Sequence, residues 1–245
     1  MELGRASVAV TLTERSVILG RPLGHGSRSA AAEVWSMLGT VAALYRYPVK
    51  ALRAEQLARA DVRADGFAGD RGSALIVRSP ENARSGKTYR GKEHRLLHTV
   101  SAVTDAQDLA LGAGITVDED DAQPHYFDAE PVSIVFDAWI RELEQMAGRT
   151  VDPLRFRPNI VAVAAPGFAA SEHALIGMRL NVGPVAFDVV SAITRCVTPS
   201  YDIATGEPDP ALHRTIVAER GNIMGIYCRV VVPGEIVPGA AIETA

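Results

Sequence analysis

One of the two cysteines in the chain, Cys196, stands directly after an arginine, at the end of an apolar run over residues 185–193. A neighbouring cation lowers the pKa of a thiol, and the thiolate is the form that attacks electrophiles and binds soft metals. Thr-Pro-Ser follows at residues 198–200, so we expect this cysteine at a strand end, close to solvent. A lone cysteine is more often an inert core residue, and its surroundings must decide between the two interpretations.

The second cysteine, Cys228, favours the inert interpretation. Side chains of a strand alternate between its two faces. This alternation would place Cys228 with Ile226 and Val230 on one face and Tyr227 on the other. Cys228 is then a small core residue, whereas Tyr227 faces the opposite side, where it either reaches a ligand or packs against the fold.

Three other arrangements that could carry chemistry fail on inspection. Gly-Lys-Thr at residues 86–88 ends like a phosphate-binding loop, but Glu81 stands where that loop needs a glycine. His94 and His98 could share a helical face, yet no third ligand is evident, so a solvated helix is favoured over a zinc site. The cysteine spacing of an iron–sulfur module is missing. If the protein needs electrons for a reaction, a separate protein would have to donate them.

The composition excludes several classes of protein. The 25 lysines and arginines are dispersed and outnumbered by 29 acidic residues, for a net charge of −4, which gives no support for nucleic-acid binding. No apolar run approaches the roughly 18 residues that span a bilayer, so no membrane association is expected. Two widely separated cysteines do not make a disulfide framework, and the reducing cytoplasm is therefore the expected compartment.

The hydrophobic pattern predicts a mainly β fold. Short β-prone runs bounded by glycine and proline are typical of a barrel rather than of an α/β sheet. The predicted strands are residues 41–47, 74–77, 159–163, 178–182, 185–193 and 226–232. Residues 131–146 show the one clear helical period, residues 91–100 allow a short helix, and the acidic run 118–121 is expected to be a solvated loop.

Five motifs of this chain occur in the same order in the MOSC family, whose domain forms the C-terminal module of molybdenum-cofactor sulfurases. The chain resembles that family from about residue 38 to residue 245. The matching stretches are Tyr-Pro-Val-Lys at 47–50, Gly-Asp-Arg at 69–71, Arg-Phe-Arg-Pro-Asn-Ile at 155–160, Arg-Cys with Asp and Thr-Gly at 195–206, and Gly-Ile-Tyr with Val-Pro-Gly at 225–234. Any one could occur by chance, whereas five in the right order make the resemblance specific.

The resemblance implies a site for molybdenum cofactor (molybdopterin), in which Cys196 is the catalytic residue and the thiolate that ligates molybdenum beside the two sulfurs of the pterin dithiolene. Such a ligand carries a phosphate and a polar ring system. A pocket that binds it needs planar arginine guanidinium groups, a lysine, and amides or hydroxyls. By the match of motifs, the cofactor-binding residues are Lys50, Arg71, Arg157, Asn159, Thr194, Arg195 and Tyr227. Pyridoxal phosphate belongs to a separate domain of full-length sulfurases, and no site for it is expected in this chain.

Two positions depart from reductase-type relatives. Ala51 replaces the hydroxyl residue that follows the lysine, which removes one hydrogen bond near the pterin. Asp137 stands where such relatives often offer Ser or Thr to the phosphate, and a carboxylate facing a phosphate would repel it. Three explanations remain open: Asp137 points to solvent from the N-terminal half of the helix, the ligand is held differently, or the chain binds something else.

The resemblance also implies a domain plan. Residues 1–37 are expected to be an N-terminal extension, either disordered or ahead of the natural start. Residues 38–128 would form a barrel-like N-terminal β-subdomain, and residues 129–245 the MOSC β-barrel, with a few short helices.

Three functions follow from these observations as hypotheses. The first is an oxidoreductase that binds molybdenum cofactor, reduces N-hydroxylated small molecules and takes electrons from a separate protein. The second is a sulfur carrier or carbon–sulfur bond enzyme, which would use the Cys196 thiolate or persulfide without molybdenum. The third is a non-catalytic module that binds the cofactor.

Overall fold

The computed structural model describes residues 37–245 of the chain. The expected N-terminal extension, residues 1–37, therefore lies outside the described residues except for Met37, which begins the first strand. Within residues 37–245, no helix is both long enough and apolar enough to cross a bilayer.

Strands dominate the described part of the chain, and seven of them close into a barrel, which confirms the predicted mainly β fold. The strands are β1 (Met37–Arg46), β2 (Glu55–Leu57), β3 (Ala60–Arg63), β4 (Gly66–Phe67), β5 (Ala74–Val77), β6 (Val117–Asp120), β7 (Val132–Phe136), β8 (Ile160–Ala164), β9 (Arg179–Val182), β10 (Val185–Thr194), β11 (Ile223–Val232), β12 (Gly234–Ile236) and β13 (Ala241–Thr244). The barrel order is β13-β9-β10-β11-β7-β8-β1, and pairing of β1 with β13 closes the ring. β7 and β8 pair in parallel, and the other neighbours in the ring pair antiparallel.

The main hydrophobic core includes the inward-facing side chains of the barrel strands, because a barrel of this size has room for side chains only. Leu44, Phe187, Ile226 and Cys228 are fully buried members of this core. The alternation predicted for β11 is confirmed, since Cys228 is buried and its neighbour Arg229 is exposed.

Two smaller sheets accompany the barrel. β3 pairs with β4 and β12, and β5 pairs with β6. A second hydrophobic core brings side chains of β5 and β6 together with the helix α1 (Val103–Gly112) and includes Leu52, Leu75, Tyr89 and Leu97. This second core lies beside the loop that carries Lys50, one of the predicted site residues.

The predicted helix over residues 131–146 is in fact a strand followed by a helix. Val132–Phe136 is the fully buried strand β7, and α2 (Asp137–Ala147) begins only after it. The run Val-Ser-Ile-Val-Phe is β-branched and aromatic, and its pairing with β8 and β11 overrides the helical spacing. Trp139 and Leu143 on α2 are buried, as the helical period predicted.

Three local expectations were wrong or incomplete. The acidic run 118–121 belongs mostly to β6 rather than to a loop, because its backbone pairs with β5 while Asp118 and Glu119 remain exposed. Residues 91–100 form turns and one short 3₁₀ turn, Leu97–Thr99, instead of a helix. The helices α1 and α3 (Pro210–Glu219) were not predicted, because neither has a strong amphipathic period.

The barrel draws on both parts of the predicted domain plan. β1 lies between β13 and β8, and β12 pairs with β3. Strands from before and after residue 128 therefore share sheets. The division after residue 128 stays a prediction.

Candidate functional site

The predicted site residues come together in one cleft of about 300 Å³, with Asn159 as the exception. The predicted residues that line it are Lys50, Arg71, Arg157, Thr194, Arg195, Cys196 and Tyr227. They are carried by the loop after β1, the turn after β4, the loop before β8, the end of β10 and the middle of β11. Arg90, Lys92, Arg155 and Asp128 also line the cleft, so it is rich in positive charge.

Cys196 is exposed in this cleft, whereas Cys228 is sealed in the barrel. β10 ends at Thr194, and the 3₁₀ turn Thr198–Ser200 follows the cysteine, so the chain leaves the sheet at this point. The Cys196 thiol donates a hydrogen bond to Thr198 Oγ1 at 3.1 Å. Burial raises the pKa of Cys228 far above its ordinary value, which keeps that thiol neutral and unreactive.

Arg195 braces the loop that presents Cys196. Its Nε donates to the carbonyl of Met224 at 2.7 Å and its Nη1 to the carbonyl of Phe156 at 2.9 Å. Burial lowers the pKa of Arg195 to about 10. Its Nη2 also donates to the Met224 carbonyl, so all three side-chain nitrogens bind backbone carbonyls. These contacts suit Arg195 to hold the loop in position. Its predicted contact with the cofactor stays a prediction.

Gly225 makes room for this arginine. A Cβ atom at this position would lie 2.9 Å from the Ile134 carbonyl oxygen and 3.2 Å from Arg195 Nη2, and the φ angle of Gly225 is +88°. A side chain here would therefore be strained in its backbone and would collide with β7. The glycine of the Gly-Ile-Tyr motif therefore leaves the space that the Arg195 side chain occupies.

Arg157 and Arg71 share one aromatic side chain. Their guanidinium carbons lie 4.1 Å and 4.6 Å from the centroid of the buried Tyr47 ring, a cation–π arrangement. Arg71 is ion-paired with Asp70. Burial alone would lower the pKa of Arg71, but the attraction of Asp70 raises it overall.

Arg157 differs from Arg71 because part of it has no partner. Its Nη2 is buried, and no described residue accepts a hydrogen bond from it. Burial lowers the pKa of Arg157 to about 10, with the charge of Arg71 adding to that effect. A buried donor without a partner is costly, so this atom marks a place where a ligand acceptor would be stabilising.

Asn159 lies behind the cleft rather than in it. It is 1% exposed, its Oδ1 accepts from the Ser133 backbone N–H at 3.0 Å, and its Nδ2 donates to Asp70 Oδ2 at 3.0 Å. Asp70, also fully buried, accepts in addition from the Tyr47 backbone N–H at 2.6 Å. The motif residues Asn159 and Asp70 therefore form an internal polar network that fixes the loops carrying Arg71 and Arg157.

Two acids must be distinguished near the site. Asp137, which stands where reductase-type relatives often offer Ser or Thr to the phosphate, accepts from the Ala164 backbone N–H at 2.8 Å and pairs with Arg141, and it does not line the cleft. The acid that does line the cleft is Asp128, whose Oδ1 lies 2.6 Å from Lys50 Nζ. Sequence reasoning missed Asp128 because it lies in an irregular segment outside every matched motif.

Tyr227 and Thr194 complete the predicted set. Tyr227 lines the cleft from β11, on the face opposite Cys228, and burial raises its pKa although Arg195 opposes that rise. Thr194 is exposed at the end of β10. Ala51, which lacks the hydroxyl of reductase-type relatives, also lines the cleft, with a left-handed φ of +73°.

His98 lies in a small pocket that shares Arg155, Arg157 and Thr198 with the cleft. Its ring stacks on Tyr201, with 5.8 Å between centroids, and its Nε2 is 3.2 Å from the Asp202 carbonyl oxygen. Burial lowers the pKa of His98 to about 4, so the ring is neutral.

Among residues 37–245, no three His, Cys, Asp or Glu side chains are grouped so that they could hold a metal ion.

Family models now give the class of protein that this fold and cleft define. The model of the MOSC domain matches residues 121–243, and the model of the MOSC N-terminal beta barrel domain matches residues 38–133. The chain therefore belongs to the MOSC domain family, which confirms the resemblance drawn from its motifs. A search of curated proteins found no match.

Solved structures support the fold. The YUAD protein from Bacillus subtilis is similar with a TM-score of 0.52 and 19% identity, over 85% of this chain and 96% of that one. YiiM from Escherichia coli matches at 15% identity and a TM-score of 0.39, over 82% of this chain and 69% of its own. YiiM from Geobacillus stearothermophilus matches at 21% identity and 0.37, over 46% and 53%. At these identities a likeness concerns the fold alone. Of these three structures, only the YUAD protein has a TM-score above 0.5.

Proposed function

We propose that the cleft binds molybdenum cofactor and that the protein is an oxidoreductase acting on N-hydroxylated small molecules. The observation that carries the proposal is that one cationic cleft holds both an exposed thiol, Cys196, and a buried arginine donor, Nη2 of Arg157, that has no partner within residues 37–245. A thiolate is a ligand for a soft metal, and an unpaired arginine donor can bind an anionic group such as phosphate.

The residues of the cleft fit this cofactor. Lys50 would hold the phosphate through its ammonium charge, and Arg157 would hold it through its planar guanidinium group. Tyr227 and Thr194 would supply polar contacts to the ring system, and Cys196 would ligate molybdenum. When bound, the cofactor would supply the two-electron chemistry that removes an oxygen atom from nitrogen. With two electrons from a separate protein and two protons, an N-hydroxylated compound then yields the reduced nitrogen compound and water.

The chain itself would prepare the thiol. Cys196 must lose its proton to become a metal ligand. The Thr198 hydroxyl accepts from the thiol at 3.1 Å, and a hydroxyl can rotate to donate instead, so the same contact would stabilise the thiolate. Arg195 would hold the loop still, because its contacts to Met224 and Phe156 tie it to β11 and to the 3₁₀ turn Pro153–Phe156.

Metal analysis of the protein, purified from a host that makes the cofactor, tests the proposal. Near-stoichiometric molybdenum, with an absorption spectrum that changes in Cys196→Ser and is kept in the matched control Cys228→Ser, would support it. Turnover of an N-hydroxylated substrate with a chemical reductant would separate the reductase from a module that only binds the cofactor. Protein that takes up no molybdenum in such a host would overturn the proposal.

The exposed thiol also supports a second candidate, a sulfur carrier or carbon–sulfur bond enzyme that works without molybdenum. Cys196 would then carry a persulfide or attack an electrophile directly. Intact mass spectrometry distinguishes the two, because a carrier gains the mass of a sulfur atom at Cys196 after incubation with a low-molecular-weight persulfide, which passes its outer sulfur to the thiolate and leaves as a thiol. The Cys196→Ser protein should show no such gain.

A further inference from the structure

Asp128 is the only acid among the described residues that line the cleft, and it meets a cation there. Its carboxylate lies 2.6 Å from Lys50 Nζ, and the two side chains are 71% and 15% exposed. A largely buried cation is thus paired with an acid that approaches it from the solvent side. Lys50 is the only ion-pair partner that the described residues give Asp128.

The other paired cations of the cleft have carboxylate partners elsewhere. Arg71 pairs with Asp70, Arg90 with Glu93 and Arg155 with Asp202, and none of these three acids lines the cleft. Their pairing would survive the entry of an anion. Lys50 is different, because the carboxylate that the described residues pair with it lies in the cleft itself, where an anion that reaches its ammonium group would compete with that carboxylate.

The charge of Asp128 is also felt beyond Lys50. The crowding of Asp128 by the neighbouring atoms of the cleft removes part of its hydration and opposes ionisation, but the attraction of Lys50, followed by that of Arg71 and Arg157, brings its pKa below its ordinary value. The carboxylate is therefore ionised at neutral pH. It faces the same group of cations that an incoming phosphate would face, and it would repel that phosphate.

We propose that Asp128 is a built-in counter-ion of the cleft, which holds Lys50 in the absence of ligand and gives it up to the phosphate group of the ligand. The exchange rests on the proposed function in so far as that function assigns a phosphate to this cleft. Its consequence is that Asp128 weakens the affinity of the cleft for phosphate. The alternative is a fixed partner that orients Lys50 and so strengthens binding, but a carboxylate that is mostly exposed and held by one ion pair is poorly suited to that task.

Titration of the purified protein with inorganic phosphate at pH 8, followed by NMR, tests the exchange without cofactor. Asp128→Asn should bind phosphate about three- to sixfold more tightly than the wild type, the range expected when an exposed ion pair and its repulsion of the ligand are removed. The matched control is Glu130→Gln, two residues away, whose acid pairs with Arg229 outside the cleft. Its affinity for phosphate should equal that of the wild type.

A double-mutant cycle with Lys50→Met decides whether the effect passes through Lys50. In the Lys50→Met protein the tightening caused by Asp128→Asn should largely disappear. An equal tightening with and without Lys50 would overturn the exchange and leave only a general electrostatic effect. Weaker binding by Asp128→Asn, or no phosphate binding by any variant, would also overturn it. Thermal melts of each variant show that the comparison is made between folded proteins, and Asp128→Ala replaces Asp128→Asn if the latter is unstable.

The proposed function and this exchange can fail separately. Protein that contains no molybdenum but shows the expected phosphate cycle would remove the first and keep the second. Protein that contains molybdenum but binds phosphate equally well with Asn or Asp at position 128 would do the reverse.

Discussion

The charged groups in and around the cleft are held in two different ways. One group, which we call the held wall, consists of Arg195, Arg155 and, in the adjoining pocket, His98, and each of these has a backbone carbonyl within hydrogen-bonding reach. The other group, which we call the open wall, consists of Lys50, which is paired with the exposed Asp128, and Arg157, whose Nη2 has no partner among the described residues. The held wall includes the arginine next to Cys196, and the open wall offers the groups that would meet an anion.

This difference separates two uses of the same residue type. Arg195 and Arg157 are both half-buried, and loss of hydration lowers the pKa of each to about 10. An arginine whose donors reach backbone carbonyls fixes a loop, whereas one with a donor left over remains available to a ligand. Substitutions on the held wall should therefore cost stability, and substitutions on the open wall should cost ligand affinity.

The largest expected effect is at the thiol that the held wall presents. Cys196→Ser should abolish turnover of an N-hydroxylated substrate or alter the molybdenum spectrum, because oxygen is a harder donor than sulfur. The pterin should remain largely bound, since its phosphate and ring contacts would come from other residues. Steady-state assays and absorption spectra of the purified variant measure both.

Cys228→Ser is the matched control for this experiment. It places a hydroxyl in the barrel core, at a cost of roughly 1–3 kcal/mol of stability if no partner is found, and it should leave the chemistry intact. A fully active Cys196→Ser protein would show that Cys196 has neither of the catalytic roles given to it.

Arg195→Ala tests whether the held wall is structural. The carbonyls of Met224 and Phe156 would lose their donor, and two buried acceptors without partners should lower the free energy of unfolding by roughly 2–4 kcal/mol. Urea denaturation measures this loss. Arg141→Ala removes an exposed ion pair with Asp137 and should cost under about 1 kcal/mol. Equal stability of the two variants would show that Arg195 does not brace the loop.

Arg157→Ala tests the open wall in the same way. A charge-assisted hydrogen bond contributes on the order of 1.5–3 kcal/mol, so cofactor retention during purification should fall by about ten- to a hundredfold relative to wild type. Arg141→Ala serves again as control and should retain the cofactor. If the two variants retain equal amounts of pterin and molybdenum, the comparison between the walls fails at its central point.

The sequence predicted which residues meet in the cleft better than it predicted how each is held. Motifs in order brought Lys50, Arg157, Cys196 and Tyr227 to one cavity, because a shared family fold carries such positions with it. The partners came from the tertiary structure. Whether Asn159 faces inward depends on how β7 and β8 pair, and pairing between distant strands leaves no local signal.

The same limit explains the acids. Asp137 stands where reductase-type relatives often offer Ser or Thr to the phosphate, and the sequence left open whether it faces the ligand. It bonds instead to the Ala164 backbone N–H at 2.8 Å. Asp128 lies in an irregular segment with no period, and only the folded loop carries it to Lys50. Periodicity fixes faces of regular elements and is silent on such loops.

The smallest expected effect concerns His98, which tests the held wall by titration. Burial lowers the pKa of His98 from 6.5 to about 4. Because the folded state binds the proton less tightly than the unfolded state, the stabilisation is fully present above pH 6.5 and is lost as the pH falls from 6.5 through about 4. The loss attributable to this ring should be about 1–2 kcal/mol once solvent screening is allowed for.

His98→Phe isolates that contribution, because phenylalanine keeps an aromatic ring against Tyr201 but cannot take up a proton. The variant should be less stable at pH 7, since it loses the contact with the Asp202 carbonyl. Its stability should also fall less steeply than that of the wild type between pH 6.5 and 4. Urea denaturation at several pH values gives both slopes, and the carboxylates that titrate in the same range cancel in their difference. Parallel slopes would mean that His98 takes up its proton in the folded protein as readily as in the unfolded chain, and the held wall would then be more open to water than its contacts imply.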